Sequence, residues 1–447
     1  MSSEMIDVCA AVVLHGGRLL LATRRPGGHL AGKWEFPGGK IALGESAAEC
    51  IEREIREELA FDVSCEGEIF ALEFQYPEKC FRLHFMKCRP QGEPTPVPRE
   101  HQAFGWFTPA QALALDLAAA DEKALNGLRD IASGGTSPDM LAFDATLAAP
   151  VLDFMRTPDP LANSKLPDWL HISFGGGQER LSVRDLIKDG GLHTVCESAK
   201  CPNRCDCWKR KTATFMILGN SCTRNCRFCA VNHGVPEPVD PEEPEKIARS
   251  VRELGLKYAV LTCVTRDDLP DGGSGAMAAT VEAIRRLSPE TRSEVLCSDY
   301  QGDFSCIERV ILSRPVVYGH NVECVERLTP MVRNRADYRR SLEVLRYASA
   351  FGAKHGVIAK SGLMLGLGET EDEIRQTLRD LREAGVEIVT LGQYLRPTRR
   401  HWPVSEMVTP KRFAEWQEYA EKELGFRKAV AGPLVRSSYM AEEAFLK

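Results

Sequence analysis

The sequence predicts an α/β protein made of two modules in series, and three observations carry that expectation. The chain has 447 residues, more than one ordinary domain uses. A turn-rich break, Ser133-Gly-Gly-Thr-Ser-Pro138, interrupts it. The hydrophobic pattern also changes character: a few β-rich runs around one long amphipathic helix precede the break, and a regular strand–helix alternation follows it.

Before the break, Val8–Leu14 and Leu19–Ala22 read as strands joined by a hairpin turn at His15-Gly16-Gly17. Glu45–Leu59 has helical spacing, and residues 69–74 and 81–88 read as further strands. Thr108 is a predicted N-cap, with Pro109 at the first helical position. Residues 138–165 read as a connector with some helix in it. From about residue 166, β-rich runs fall at 213–218, 258–264, 294–299, 316–320, 360–367 and 388–395. Between and after them, helical spacing covers 241–254, 274–287, 303–313, 336–352, 370–384 and 410–424. Six such alternations predict a parallel sheet, open or curled into a partial barrel.

Composition narrows the function classes. With 43% hydrophobic and 27% charged residues the chain can build cores of ordinary size. Its net charge of −6 argues against generic nucleic-acid binding, which needs a basic surface. The N-terminus lacks the pattern of a signal peptide, and no apolar run approaches the ~20 residues that cross a bilayer. A cytoplasmic protein without membrane or nucleic-acid partners is expected. Sixteen cysteines are therefore anomalous, and seven of them fall between Cys196 and Cys229. In a chain without an export signal, such a cluster points to metal rather than disulfides.

The first chemical signal is acidic. Glu54, Glu57 and Glu58 stand at i, i+3 and i+4 of the predicted helix and share one face. Three like charges there repel unless a cation offsets them, and Mg²⁺ takes such carboxylates while bridging to substrate phosphates. Pro37-Gly38-Gly39 lets the backbone turn close to that face, and Arg53 is placed to hold Glu45 in a bidentate pair. A solvated charged face is the competing reading of this run. The segment Gly39-x5-Glu45-x7-Arg53-Glu54-Ile-x-Glu57-Glu58-x-Ala60 resembles the Nudix box, with Ala60 where the box has glycine. The resemblance spans about 6–130 and is nearest to MutT-type nucleoside triphosphate pyrophosphohydrolases. It implies an α/β/α sandwich, metal ligation (Mg²⁺ or Mn²⁺) by Glu54, Glu57 and Glu58, and catalytic roles for Glu57, Glu58 and Glu100. Asp121, in Ala118-Ala-Ala-Asp121, falls in the segment that reads the base in that family. Ala60 falls at a helix end, where it is expected to strain the cap without removing a ligand.

The second signal is Cys222-x3-Cys226-x2-Cys229. Three close thiolates can hold three irons of a cubane and leave the fourth open. An open iron can chelate S-adenosylmethionine, whose reductive cleavage yields a 5′-deoxyadenosyl radical. A structural zinc site is the alternative, although it usually needs a second close pair of ligands. Upstream, Cys196-x4-Cys201-x5-Cys207 forms another three-cysteine set, with Cys205 as an extra thiol. The two sets resemble those of lipoyl synthase in the radical-SAM superfamily. Agreement continues through Thr265-Arg-Asp-Asp-Leu, Gly366-Leu-Gly-Glu-Thr, Thr390-Leu-Gly-Gln-Tyr-Leu and Arg436-Ser-Ser-Tyr, and spans about 166–447.

That resemblance implies a partial (β/α)6 barrel with two [4Fe-4S] clusters. Cys222, Cys226 and Cys229 would hold the radical-SAM cluster, and Cys196, Cys201, Cys207 and Ser438 the auxiliary one. An oxygen ligand such as Ser438 should be the more easily released, which suits a cluster consumed as a sulfur source. Asp267, Asp268, His320, Asn321 and Lys360 fall near expected strand ends, where barrel sites gather. The implied reaction inserts two sulfur atoms, at C6 and C8, into an octanoyl group on a carrier protein. Partners would be octanoylated lipoyl domains of 2-oxoacid dehydrogenase E2 or glycine cleavage H protein, and an electron donor such as ferredoxin or flavodoxin. The expected organisation is a Nudix hydrolase over 1–135, a linker over 136–165 and lipoyl synthase over 166–447. Within the last, 190–210 would carry the auxiliary cluster, 211–425 the radical-SAM core and 426–447 the serine ligand. The competing readings are another radical-SAM sulfur-inserting enzyme, or a nucleotide-sensing Nudix module on a zinc-binding structural domain.

Overall fold

A computed structural model describes residues 5–24, 30–77, 79–97, 103–159, 161, 165–170, 192–198, 201, 203, 214–333, 335–438 and 441–446. The chain divides into two compact units, 1–162 and 163–447.

In the first unit the strands are β1 (Met5–His15), β2 (Arg18–Thr23), β3 (Trp34–Glu35) and β4 (Gly38–Lys40), then β5 (Val63–Gln75), β6 (Cys80–Pro90), β7 (Phe104–Phe107) and β8 (Met140–Leu141). They pair in the order β3-β2-β1-β6-β5-β8, with β4 on β1 and β7 on β2. The β1–β2 hairpin closes as expected: His15 faces Arg18, and Gly16 and Gly17 both adopt positive φ, which a two-residue hairpin turn needs. Helix α1 (Ala47–Leu59) starts at Ser46, whose side chain accepts from Glu49 N while Glu49 caps Ser46 in return. Its apolar stripe of Cys50, Ile51, Ile55 and Leu59 packs on Cys9, Ala11 and Val13 of β1 and Met86 and Cys88 of β6. On β6, Phe85 alternates with these residues and meets Phe36 and Phe70 instead. Helices therefore cover a central mixed sheet, in an α/β/α arrangement.

Two elements differ from expectation. Thr108 does cap a helix with Pro109 in its first turn, but that helix, α2 (Pro109–Ala112), lasts one turn; the chain restarts as α3 (Ala119–Ala132). The segment expected as a linker over 136–165 includes β8, which pairs with β5, and α4 (Ala145–Arg156). Helix α4 buries Ala148, Val151, Leu152, Phe154 and Met155 against α3 and β5, so it belongs to the first unit's core.

Helix α1 ends at Ala60 in the left-handed conformation, φ 58° and ψ 32°. A Cβ in that region costs about 1–2 kcal/mol, partly offset by the lower unfolded-state entropy of alanine compared with glycine. Ala60→Gly is expected to stabilise the first unit by about 0.5–1 kcal/mol. Calorimetry on the full chain should show that unit's transition rising by about 2 °C; no rise would mean that the cap carries no strain.

The second unit is one eight-stranded sheet, in the order β18-β17-β16-β15-β14-β13-β10-β9. Its strands are β9 (His193–Thr194), β10 (Thr214–Ile217), β13 (Tyr258–Cys263), β14 (Arg292–Leu296), β15 (Val317–Gly319), β16 (Ile358–Leu365), β17 (Ile388–Gln393) and β18 (Lys428–Gly432). All neighbours from β10 to β18 are parallel, and β9 runs antiparallel to β10. A small ladder of β11 (Ser221–Cys222) and β12 (Asn232–His233) stands apart. Helices Glu243–Leu254, Ser274–Leu287, Phe304–Leu312, Tyr338–Ala353, Glu371–Glu383 and Pro410–Glu418 follow successive strands. The six predicted strand–helix pairs are all present, and β18 adds a seventh parallel strand. This is a partial (β/α)6 barrel, which places loop residues at the carboxyl ends of its strands. No helix among the described residues is long and apolar enough to cross a membrane.

Candidate functional sites

In the second unit a cavity of about 530 Å³ opens at the carboxyl ends of the strands. Its wall includes Cys263 at the end of β13, Asn321 after β15, Met364 in β16 and Gln393 at the end of β17. Glycines let parts of its wall approach closely. A Cβ on Gly362 would lie 2.9 Å from both Asn321 Oδ1 and Thr390 Oγ1, and one on Gly392 would collide with the Val435 carbonyl oxygen.

Cys222, Cys226 and Cys229 line this cavity together with Cys201, Ser437 and Ser438. The loop carrying the first three is tied to the barrel by its own backbone. Thr223 N donates to Thr265 O, Arg227 N to Val332 O (2.7 Å) and Trp402 N to Arg227 O (2.8 Å). The Cys229 carbonyl accepts from His401 Nε2 at 3.0 Å. Arg224 is 6% exposed and anchors the loop, with a bidentate pair to Asp267 (2.8 and 2.9 Å) and a third bond to Asp299 (2.6 Å). Arg340 binds the other Asp299 oxygen at 2.9 Å. Burial pushes the Asp299 carboxyl up, but hydrogen bonds and charge from Arg224 overturn this and hold it well below the usual carboxylate range. Burial raises the Cys226 thiol to about 11 and the Cys229 thiol to about 12.

Other polar residues of the wall divide into satisfied and unsatisfied. His320 is held by Cys297 O and Ser341 Oγ, both at 3.0 Å, and burial lowers its ring to about 4, which leaves it neutral. Asn321 donates to Glu323 at 3.0 Å, while its buried Oδ1 has no hydrogen-bond partner. Such an atom facing a cavity suits a polar ligand, since leaving it buried and unpaired is costly. Lys360 does not reach the cavity. It is buried in a pair with Glu294 (2.6 Å), which also accepts from Tyr258 (2.7 Å). Asp268 is occupied by Arg266.

In the first unit, α1 presents its acidic face around Arg53. That guanidinium binds Glu45 through two bonds (2.8 and 3.0 Å), Glu54 at 2.9 Å and Glu57 at 3.1 Å. The repulsion expected among these carboxylates is therefore already partly offset within the protein. Burial pushes the Glu54 carboxyl up, and it lies so close to Gly39 that any Cβ there would collide with it. Glycine at this position leaves room for the carboxylate. Asp121 is buried, accepts from Phe36 N at 2.9 Å, and burial raises it to about 7.

Comparison with known proteins adds the decisive observation. Residues 5–128 match the NUDIX domain model, and residues 216–381 match that of the radical SAM superfamily. A lipoyl synthase of Flavobacterium johnsoniae is 52% identical over 280 residues, which cover 63% of this chain and 96% of that protein. One from Caldicellulosiruptor saccharolyticus is 50% identical over 283 residues, 63% of this chain and 98% of that protein. The chain belongs to the lipoyl synthase family. Its lipoyl synthase part is of the radical-SAM type and is fused to an N-terminal Nudix hydrolase domain. The solution structure of the E. coli ORF135 protein is 34% identical, covering 28% of this chain and 89% of that one, with a TM-score of 0.25.

Radical-SAM lipoyl synthases use S-adenosylmethionine and iron–sulfur clusters, and Nudix hydrolases a divalent metal. The lipoyl synthase cavity fits the first set of groups: it combines three thiols on one anchored loop, a fourth thiol, serine hydroxyls and an unpaired amide oxygen. Among the described residues no three Cys, His, Asp or Glu side chains converge on a single point as around one ion. A cubane binds each thiolate to a different iron and so spreads them further apart than one zinc does. Cys196 is buried in the core beneath, and its carbonyl accepts from Cys201 N at 3.2 Å. Cys205, Cys207 and Glu100 lie outside the described residues. Sequence reasoning missed Arg224, Asp299 and Arg340. The Arg sits inside the Cys-x3-Cys motif, but its acidic partners are 43 and 75 residues away, and no local pattern links them.

Proposed function

We propose that the lipoyl synthase unit inserts sulfur at C6 and C8 of an octanoyl group carried on a lipoyl domain of a 2-oxoacid dehydrogenase or on glycine cleavage H protein. In this reading Cys222, Cys226 and Cys229 hold a [4Fe-4S] cluster that binds S-adenosylmethionine, and Cys196, Cys201, Cys207 and Ser438 hold a second one. The bound groups supply a 5′-deoxyadenosyl radical and the sulfur. The chain's own residues supply position: Arg224 fixes the cysteine loop, and Asn321 offers an unpaired acceptor to a polar ligand. One observation supports the reading: Cys201 of the upstream set and Ser438 line the same cavity as Cys222, Cys226 and Cys229. Electrons would come from a small donor protein such as ferredoxin or flavodoxin.

For the Nudix domain the same reading makes Glu54, Glu57 and Glu58 ligands of Mg²⁺ or Mn²⁺, with Glu57, Glu58 and Glu100 serving hydrolysis of a nucleoside triphosphate to monophosphate and pyrophosphate. Asp121, whose carboxyl burial raises, would face the base. Anaerobically reconstituted full-length protein should contain about eight irons and as many sulfides per chain, and should convert an octanoylated carrier to the lipoylated mass. Stoichiometric zinc in place of iron, or an unchanged carrier mass, would overturn the proposal.

A further inference from the structure

Four thiols meet in the core of the Nudix unit. Cys9, Cys50 and Cys88 are buried together, and the half-buried Cys65 packs against them. The Cys9 and Cys50 sulfurs are 2.8 Å apart, but both residues are fully enclosed. Burial pushes both thiols up, which makes them poor nucleophiles.

Cys65 is placed differently. It stands directly opposite Cys88 in the antiparallel register of β5 and β6, beside a register shift at Gly67. Opposed residues of an antiparallel pair have Cα atoms about 4.5 or 5.5 Å apart, and both spacings lie within the range that a disulfide spans. The extra twist of a bulge helps bring such side chains together. Cys88 Sγ donates to Met86 O at 3.5 Å, and the closeness of the two thiols draws the Cys65 thiol down and pushes the Cys88 thiol up. One member is thus the readier nucleophile and reaches solvent, and the other waits behind it. The pair also touches the acidic helix, because Cys65 N donates to Glu52 Oε1 of α1 at 2.9 Å.

We propose that Cys65 and Cys88 form a peroxide-reactive pair in the Nudix unit, with Cys65 as the site of modification and Cys88 as the resolving thiol. The oxidant is hydrogen peroxide. The Cys65 thiolate attacks one peroxide oxygen, the O–O bond breaks, and hydroxide leaves, giving a sulfenic acid. The Cys88 sulfur then attacks the Cys65 sulfur, and the sulfenic oxygen departs as water with the Cys88 proton. The two thiols lose two electrons in total and the peroxide gains them.

Peptide mapping of the full-length protein tests this whatever the state of the clusters. Limiting iodoacetamide at neutral pH should label Cys65 at least about tenfold faster than Cys9, Cys50 or Cys88. After brief exposure to stoichiometric peroxide, a peptide pair linked through Cys65 and Cys88 should appear and vanish on adding dithiothreitol. In Cys88→Ser, no linked pair should form, and dimedone should trap Cys65 as the sulfenic acid. Labelling of Cys65 no faster than that of Cys9, or a linkage between Cys9 and Cys50 instead, would overturn the proposal.

Discussion

Replacing Cys226 by alanine is expected to reduce 5′-deoxyadenosine release and lipoyl product to background together. Cys226 is the middle cysteine of the Cys222–Cys229 loop and lines the cavity, so in the proposed reading its loss would remove one of three thiolates from a cluster with no spare ligand. Cys201→Ala should separate the two outputs. It lies in the same cavity but in the other cysteine set, so S-adenosylmethionine cleavage should persist with octanoylated carrier and reductant present, while no sulfur reaches the chain. Ser438→Ala should resemble Cys201→Ala in milder form, since water can replace a hydroxyl ligand. Chromatography of 5′-deoxyadenosine and the intact mass of the carrier decide the matter. Lipoylation at the wild-type rate in Cys201→Ala would place the sulfur source elsewhere. Release of 5′-deoxyadenosine by Cys226→Ala would remove that residue from the radical cluster.

The second large effect is expected in the first unit. Glu58→Gln removes one negative charge from the face where Glu54 and Glu57 are already tied to Arg53. If a divalent ion activates water there, hydrolysis should fall by at least about 10²-fold, as when a single charge-stabilising contact is lost. Lipoylation should be unaffected. Pyrophosphate release from a panel of nucleoside triphosphates, measured with and without Mg²⁺, is the readout; unchanged turnover in the variant would remove Glu58 from the metal site.

How much of this was legible depended on whether the signal was local. The six strand–helix pairs of the second unit could be read because buried parallel strands are continuous apolar runs and their helices carry an apolar stripe. Strand β18 was not legible: Lys428–Gly432 is short, alanine-rich and mostly half-buried, and only pairing with β17 makes it a strand. Helix α4 was legible only as some helix within a connector, because Pro150 lies inside it and it follows a turn-rich break. The bidentate Arg53–Glu45 pair was foreseen from residues eight positions apart, and the strained cap at Ala60 from the resemblance to the Nudix box, which has glycine there. Arg224, Asp267 and Asp299 could not be, because their meeting is a property of the barrel and not of any segment. The same is true of the shared cavity: the sequence shows two cysteine sets, and only the fold brings Cys201 and Ser438 to the Cys222–Cys229 loop.

The tethering of that loop by Arg224 has a consequence for what positions its thiols. Guanidinium–carboxylate and main-chain bonds hold it to the barrel, while a sulfur contact, Arg224 N donating to Cys222 Sγ at 3.4 Å, lies within the loop itself. A zinc finger, by contrast, folds only as its metal arrives. Here the bonds between the loop and the barrel are made by nitrogen and oxygen atoms, so residues far apart in the chain set where the three thiols stand.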